Sequence, residues 1–339
     1  MSEISLEILN SNQICYDEID NLFGSASNET LFHHPKFLSY HANEKFPHAN
    51  WRHYLFREGS RLIGYLPGAL VKEDSGCIYK SPFASSFGGL VHGNLSFSQI
   101  DICLEMWWND LHQQNIQRAE VVLAPLPYSS PNFCEGVEFK LNQLGFKLEE
   151  PELCLTVPMT EHPEFPRQLF RDKAWRYLKQ ARRQNLITII YTQEINDIKR
   201  FYPVLIENKK KHGVLPTHSL EELMYLHELF PHALHLFLAT IDENVMAGIL
   251  AFKSSQRVLT SFYPAINEEG RKIQGGYLMN LLFAELYCWS LSQSIAWVDL
   301  GSSSFGLEAH KTLINFKETC GGRKFLRRRY VWHRNNFQN

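Results

Sequence analysis

Almost no net charge is present in this 339-residue sequence: 34 lysines and arginines stand against 36 aspartates and glutamates, for a formal charge of −2. A general attraction to nucleic acid or to an anionic membrane is therefore not expected, DNA is not an expected partner, and any polyanion site must come from a local cluster. Long apolar runs are missing too. The longest apolar helix candidate, Tyr277 to Leu291, is interrupted by Glu285 and is too short to span a bilayer, so no transmembrane segment is expected. The opening residues MSEISLEILNSNQ show no basic segment followed by an apolar core, so no signal peptide is expected. The seven cysteines (Cys15, Cys77, Cys103, Cys134, Cys154, Cys288, Cys320) are odd in number, scattered and free of CxxC pairs. They read as reduced thiols of a cytoplasmic protein. The 15 histidines make no HExxH or similar spacing with acidic partners, so no metal is expected, and neither a GxSxG elbow nor a full P-loop occurs.

What is there is an ordinary globular composition, 44% apolar and 21% charged, with aromatics at 13% and 23 phenylalanines. The length suits two domains of roughly 150 residues each, and the aromatics suit large cores or an apolar cleft. The weakest stretch is PMTEHPEFPRQ, Pro158 to Gln168, whose three prolines interrupt helices and sheet ladders. It places a boundary between a first domain, residues 1–160, and a second, residues 161–339. The first half reads as a helix at His34–His41, the strands WRHYLFRE, RLIGYLPGALV and CIYKSP, a helix at Ser98–Asn115, the strand RAEVVLAPL, a helix at Asn132–Leu144 and the strand LCLTVPM. The second reads as a basic helix at Asp172–Gln184, the strand LITIIYT, helices at Ile195–His212 and Leu220–Leu229 and three strands, LHLFLATID, VMAGILAFKS and RVLTSFYPA. A helix at Gly276–Ser292, the strand AWVDL, a helix at Leu307–Phe316 and the strand KFLRRRYVWHR complete it. The same order of elements occurs twice, which predicts an α/β protein with mixed sheets, in two similar domains side by side.

Several constellations could carry chemistry. In RKIQGGYLMNLL, Arg271 and Lys272 precede Gln274, Gly275 and Gly276 at the start of a helix. Glycines let backbone amides approach a ligand, a helix N-terminus attracts anions, and the two cations would add charge-assisted contacts. The alternative is a Gly-rich turn with solvated basic residues. The helix RDKAWRYLKQARRQNL carries Arg176 and Arg182 in a charged stripe that either is solvated or grips phosphate. The run Lys209-Lys210-Lys211-His212 lies at a helix C-terminus, where the helix dipole alone favours cations, and is discounted as a site. The loop around Ser85–Gly89 has the residue types of a ligand loop, and Gly-rich hairpins need the same types.

The last stretch is WVDLGSSSFGLEAHKTLINFKETCGG. Gly301 to Ser304 reads as the end of a central strand opening onto an interdomain cleft, with Ser302 a candidate substrate contact. Helical spacing puts His310, Leu313 or Ile314, and Lys317 on one stripe, with Glu308 and Lys311 turned away. A cation on a part-apolar stripe tends to face a cleft; the competing account is a lysine placed by the helix dipole. Tyr263, at a strand end before the Gly-rich loop, is a candidate proton donor or substrate contact, or else a sheet-edge tyrosine.

Taken in order, ETLFHHPKFLSY, RLIGYLPGAL, SPFASSFGGLV, KAWRYLKQARRQNL, NVMAGILAFKS, FYPAINEEGRKIQGGYLMN, AWVDLGSS and LINFKETCGG resemble the FemAB-like branch of the GCN5-related N-acetyltransferase superfamily, over roughly Thr30 to Tyr330. The resemblance implies two tandem acyl-CoA N-acyltransferase-like domains, the second carrying the acyl-donor site, and acyl transfer to an amine. It implies acyl-CoA as donor, its pyrophosphate held by a Gln/Arg-x-x-Gly-x-Gly/Ala pattern. Lys272-Ile-Gln-Gly275 matches the first half of that pattern, and Tyr277 replaces its final small residue. Peptidoglycan-type members take an amino acid from aminoacyl-tRNA instead, often with a long helical arm, and no heptad pair of that length occurs here. The acceptor implied is an amine of a cell-envelope, polysaccharide or amino-acid-like substrate. The family's Phe-Lys-x-x-x-Gly lysine, near the reacting groups, is Lys317 here. A catalytically degenerate scaffold that binds a partner is the remaining alternative.

Overall fold

The computed structural model describes residues 3–40, 45–74, 76–131, 135–183, 186–273 and 277–334. The chain divides into two compact units, residues 1–152 with 326–339, and residues 153–325. The first contains β1 (Ile4–Leu9), α1 (Tyr16–Ser25), α2 (Pro35–Ser39), β2 (Ala49–Glu58), β3 (Arg61–Glu73), β4 (Gly76–Ser81), β5 (Val91–His92), α3 (Phe97–Gln113), β6 (Arg118–Leu123), α4 (Gly136–Gln143) and β7 (Lys147–Leu148). Then come β8 (Glu152–Pro158), α5 (Asp172–Arg182), β9 (Thr188–Thr192), α6 (Ile195–Lys211), α7 (Leu220–Leu229), β10 (Leu234–Ile241), β11 (Asn244–Lys253) and β12 (Val258–Ile266). The remainder is α8 (Glu268–Lys272), α9 (Leu278–Ser292), β13 (Trp297–Ser302), β14 (Ser304–Phe305), β15 (Glu308–Ala309), α10 (Lys311–Thr319) and β16 (Arg323–His333).

In the first unit the strands run in the order β1-β2-β3-β4-β6-β16. All neighbours with recorded register are antiparallel except β4 and β6, which lie parallel with Ile78–Ser81 against Arg118–Val121. The core stacks Trp107, Trp108, Tyr79 and Phe146 between α3 and the sheet. Arg52 holds Asp110 through two bonds of 2.8 Å from one guanidinium nitrogen, and the Tyr54 hydroxyl donates to the same carboxylate, so this nearly buried charge is paired. The N-terminal strand and helix, β1 and α1, have no counterpart in the sequence reading. β1 forms as the edge partner of β2, with Ile4 opposite Glu58 and Leu9 opposite His53, a pairing across about fifty residues.

The second unit orders its strands β8-β13-β12-β11-β10-β9. β10 and β11 form a hairpin in which Ile241 faces Asn244 and the two turn residues, Asp242 and Glu243, both have positive φ, the geometry of a two-residue turn that matches strand twist. β12 and β13 are parallel, joined through α9. That helix is apolar over most of its circumference, as a helix buried in a core is; Leu278, Leu281, Leu282, Phe283, Leu286 and Tyr287 are all buried, and Glu285 turns outward to Arg182. The helix expected at Leu307–Phe316 begins only at Lys311. Gly306, at φ +53, turns the chain into the β14–β15 hairpin first, and His310 then caps α10 by accepting the Leu313 N–H. No helix among the described residues is long and apolar enough to cross a membrane.

Candidate active site

Among the described residues each unit contains one parallel strand pair, and the two pairs end differently. In the first unit the loop after β4 spans the strand ends: Gly88 N–H donates to the Val122 carbonyl and Gly89 N–H to Ser81 Oγ. The fit is close enough that a Cβ on Gly88 would sit 2.2 Å from the Ser81 carbonyl carbon. The space left beside it, bordered by His33, Leu123 and Arg328, is about 20 Å³, room for roughly one water.

Among the described residues of the second unit, nothing comparable fills the gap. The parallel register joins Val258–Thr260 to Trp297–Asp299, and β12 continues for six residues beyond it, to Ile266. Pro264, which has no N–H to give a ladder, lies in this stretch. Strands that diverge in this way leave a crevice at their carboxyl ends, the usual ligand position in open α/β sheets. Here it is a pocket of about 360 Å³. Pro264, Ala265 and Ile266 form one wall with Leu300 of β13; Met279 and Phe283 of α9 and Leu313 and Phe316 of α10 complete the apolar lining. Asn208, Lys211, His212, Arg271 and Lys317 supply the polar groups, and among the described residues no carboxylate lines it.

Lys317 is built in from two directions. Its helix, α10, ends at the Gly321-Gly322 turn, where the Gly322 N–H closes on the Lys317 carbonyl at 2.9 Å. Its Nζ donates to the carbonyls of Gly301 and Ser302, both at 2.9 Å, and the residue is only 7% exposed. Those carbonyls are presented by a bulge. The β13–β8 register shifts between Asp299 and Ser302, Asp299 Oδ1 accepts the Gly301 N–H at 2.7 Å, and Gly301 takes φ +77. Burial pushes the lysine pKa down from 10.5 to about 8, while the charges of Asp299 and Cys154 act in the opposite direction. An ammonium has three N–H donors; the two carbonyl bonds leave the third for a ligand.

The other residues singled out in the sequence divide clearly. Arg271 lines the same pocket as Lys317. Lys272, its neighbour, is exposed and lies 3.8 Å from Glu268 and 2.7 Å from Glu269, whose hydrogen bond and charge raise its pKa. Gln274, Gly275 and Gly276 lie outside the described residues. Ser302 turns its hydroxyl onto the Ser304 carbonyl at 2.9 Å and contributes its own carbonyl to Lys317. His310 is exposed and serves as the α10 cap. Arg176 is exposed on α5, and Arg182 pairs with Glu285 of α9 at 2.7 Å. Tyr263 is buried, with its hydroxyl 2.6 Å from His218 Nδ1 and accepting the His218 backbone N–H at 3.1 Å. Burial raises its pKa to about 12, against the opposing effect of the His218 N–H. It does not line the pocket, although the next residue, Pro264, does.

Lys211 and His212, set aside in the sequence as helix-end charges, line the pocket beside Arg271. The end of their helix is tied there by Asn208 Nδ2, which donates to the Ile266 carbonyl at 3.1 Å. Their only signal in the sequence was a basic run four residues long, which the helix dipole explained equally well.

No protein-family model matches the sequence, and no curated protein matches it either. Solved structures do match. FemX superposes with a TM-score of 0.71 at 12% identity, covering 97% of this chain and 98% of that one. The C-terminal domain (DUF2156) of a putative lysylphosphatidylglycerol synthetase from Agrobacterium fabrum gives 0.59 at 10% identity, over 94% of this chain and 92% of the other. A tandem GNAT protein from the clavulanic acid biosynthesis pathway gives 0.51 at 11%, over 98% of each chain. At such identities the likeness is one of fold alone: a mixed α/β protein, similar in fold to FemX and to the tandem GNAT protein.

Proposed function

We propose that this protein transfers an acyl group from an activated donor to an amine, in the pocket of residues 153–325. The observation that carries this reading is the placement of Lys317, fixed by two backbone carbonyls at the wall of a crevice between diverging parallel strands. The stretch of β12 beyond its parallel register with β13 offers backbone groups to an extended donor stem, in the manner of an added strand. An amine attacking the donor carbonyl makes a tetrahedral oxyanion and must lose a proton, and the departing thiolate or alkoxide needs a positive field or a proton. Lys317 supplies that field through its third N–H. Its pKa of about 8 keeps it mostly protonated at neutral pH yet able to release a proton, which suits a general acid. Tyr263 is assigned a different role, that of holding His218 at the start of α7.

The donor in this reading is acyl-CoA, and the acceptor an amine of a cell-envelope, polysaccharide or amino-acid-like compound. Incubation with acetyl-CoA and a panel of amino sugars and amino acids, followed by thiol release and product mass, tests it. Turnover that falls roughly 10²–10³-fold in Lys317→Met supports it; turnover unaffected by that substitution removes it. One observation favours a second donor, aminoacyl-tRNA: the match to FemX along nearly the whole chain. Salt-steep binding of charged tRNA, weakened by Arg182→Glu, is its signature.

A further inference from the structure

Lys317 sits in an apolar stretch of the pocket wall. On α10 it shares one helix face with Leu313 and, one residue back, with Phe316, and all three line the pocket. The Phe316 ring packs on that of Phe283 in α9, centroids 6.1 Å apart, and Met279, one turn earlier in α9, extends the same lining. Leu300 directly precedes the Gly301 carbonyl that holds the lysine, and it lines the pocket as well. Among the described residues no carboxylate does. Asp299, whose charge acts on Lys317, accepts the Gly301 N–H and is not part of the lining. At about 360 Å³ the pocket has room for on the order of ten groups the size of a water molecule or a methylene, at roughly 30 Å³ each.

Three classes of acyl group meet this wall differently. An acetyl group brings one methyl and leaves most of the apolar surface to water. An aminoacyl group brings an α-ammonium. Beside Lys317 that is a second positive charge with no carboxylate in the lining to receive it, and a desolvated charge without a partner is costly. An unsubstituted aliphatic chain removes apolar surface from water and asks nothing of the wall but contact. We infer that the acyl group is an uncharged aliphatic chain of medium length, roughly six to ten carbons, seated on Leu300, Met279, Phe283, Leu313 and Phe316 with its carbonyl at Lys317. The inference rests on the acyl-transfer reading and names the group that is transferred. In the step itself the C–S bond of the thioester breaks as the C–N bond forms, and the proton lost by the amine ends on the departing thiol.

Isothermal titration of the full chain without acceptor, at about pH 6.5 where an α-amino group is protonated, compares acetyl-, butyryl-, hexanoyl- and octanoyl-CoA with 2-aminooctanoyl-CoA. Every probe carries the same CoA, so differences among them report on the acyl group alone. Each added methylene should tighten binding roughly two- to fourfold, and octanoyl-CoA should bind roughly tenfold or more tightly than its 2-amino analogue. Leu313→Trp, which fills part of the pocket, should end the gain at a shorter chain. Where circular dichroism shows that variant unfolded, Leu313→Ala takes its place and weakens octanoyl-CoA more than acetyl-CoA. Affinity that is flat across the series, an amino analogue bound as tightly as octanoyl-CoA, a gain untouched by the Leu313 variants, or no binding of any thioester overturns the inference. The two readings fail separately. Chain-length-dependent binding without transfer to any amine keeps the acyl pocket and removes the enzyme; transfer with kcat/KM no lower for acetyl-CoA than for octanoyl-CoA does the reverse.

Discussion

Replacing Lys317 with methionine keeps an unbranched, largely apolar side chain and deletes the buried charge. It also strips two carbonyls, Gly301 and Ser302, of their donor, a loss that does not change with pH. The charge term does change. In the folded protein the lysine titrates near pH 8, and in the unfolded chain at its ordinary value of 10.5. Between those values the unfolded chain binds the extra proton, so stability rises with pH; below pH 8 both states hold it and the term is flat. From pH 7 to pH 9 the wild type should therefore gain roughly 1–2 kcal/mol relative to Lys317→Met. The readout has to belong to the unit concerned, because a chain of two units need not unfold in one step. Cys320 provides it: the thiol is fully buried one turn from Lys317 and reacts only when that unit opens. Labelling of Cys320 across a urea series, for both proteins at both pH values, gives the difference of differences, in which the pH dependence of thiol reactivity cancels. A difference that stays constant from pH 7 to pH 9, or that moves towards the variant, would refute the reasoning, because a lysine with an unshifted pKa yields no change in that window.

Two further substitutions report on neighbouring parts of the site. Tyr263→Phe leaves the His218 N–H and Nδ1 without the phenol, and urea unfolding should show a loss of about 1–3 kcal/mol with kcat nearly unchanged; a fall in kcat at unaltered stability would return Tyr263 to the chemistry. Gly301→Ala adds a methyl group that meets no atom within 4 Å, so only the strain of φ +77 opposes it. A loss of about 1 kcal/mol is expected, accompanied by a shift in the Lys317 titration, because the carbonyl the lysine holds belongs to the strained residue.

How much of this was legible beforehand depends on how far apart the deciding residues lie. The helix at Gly276–Ser292 and the strands LHLFLATID and VMAGILAFKS were legible in the sequence, because propensity and periodicity are properties of consecutive residues. The start of α10 was misplaced by four residues: Leu307 and Glu308 are acceptable in a helix, and only the turn at Gly306 and the strand pairing with Ser304 and Phe305 claim them first. Arg271 and Lys272 were indistinguishable in the sequence, and one turn of helix sends the first into the pocket and the second to Glu269.

The sequence by itself determined the class of fold, a mixed α/β protein, and pointed to Lys317 through its place on a part-apolar stripe. Only the tertiary structure decided that Lys211 and His212 share a pocket with a lysine more than a hundred positions away, and that the parallel pair is closed in one unit and open in the other. The reason is physical. A cavity and an unpaired charge are defined by what distant segments leave unfilled and unpaired, and that becomes settled only when the segments pack.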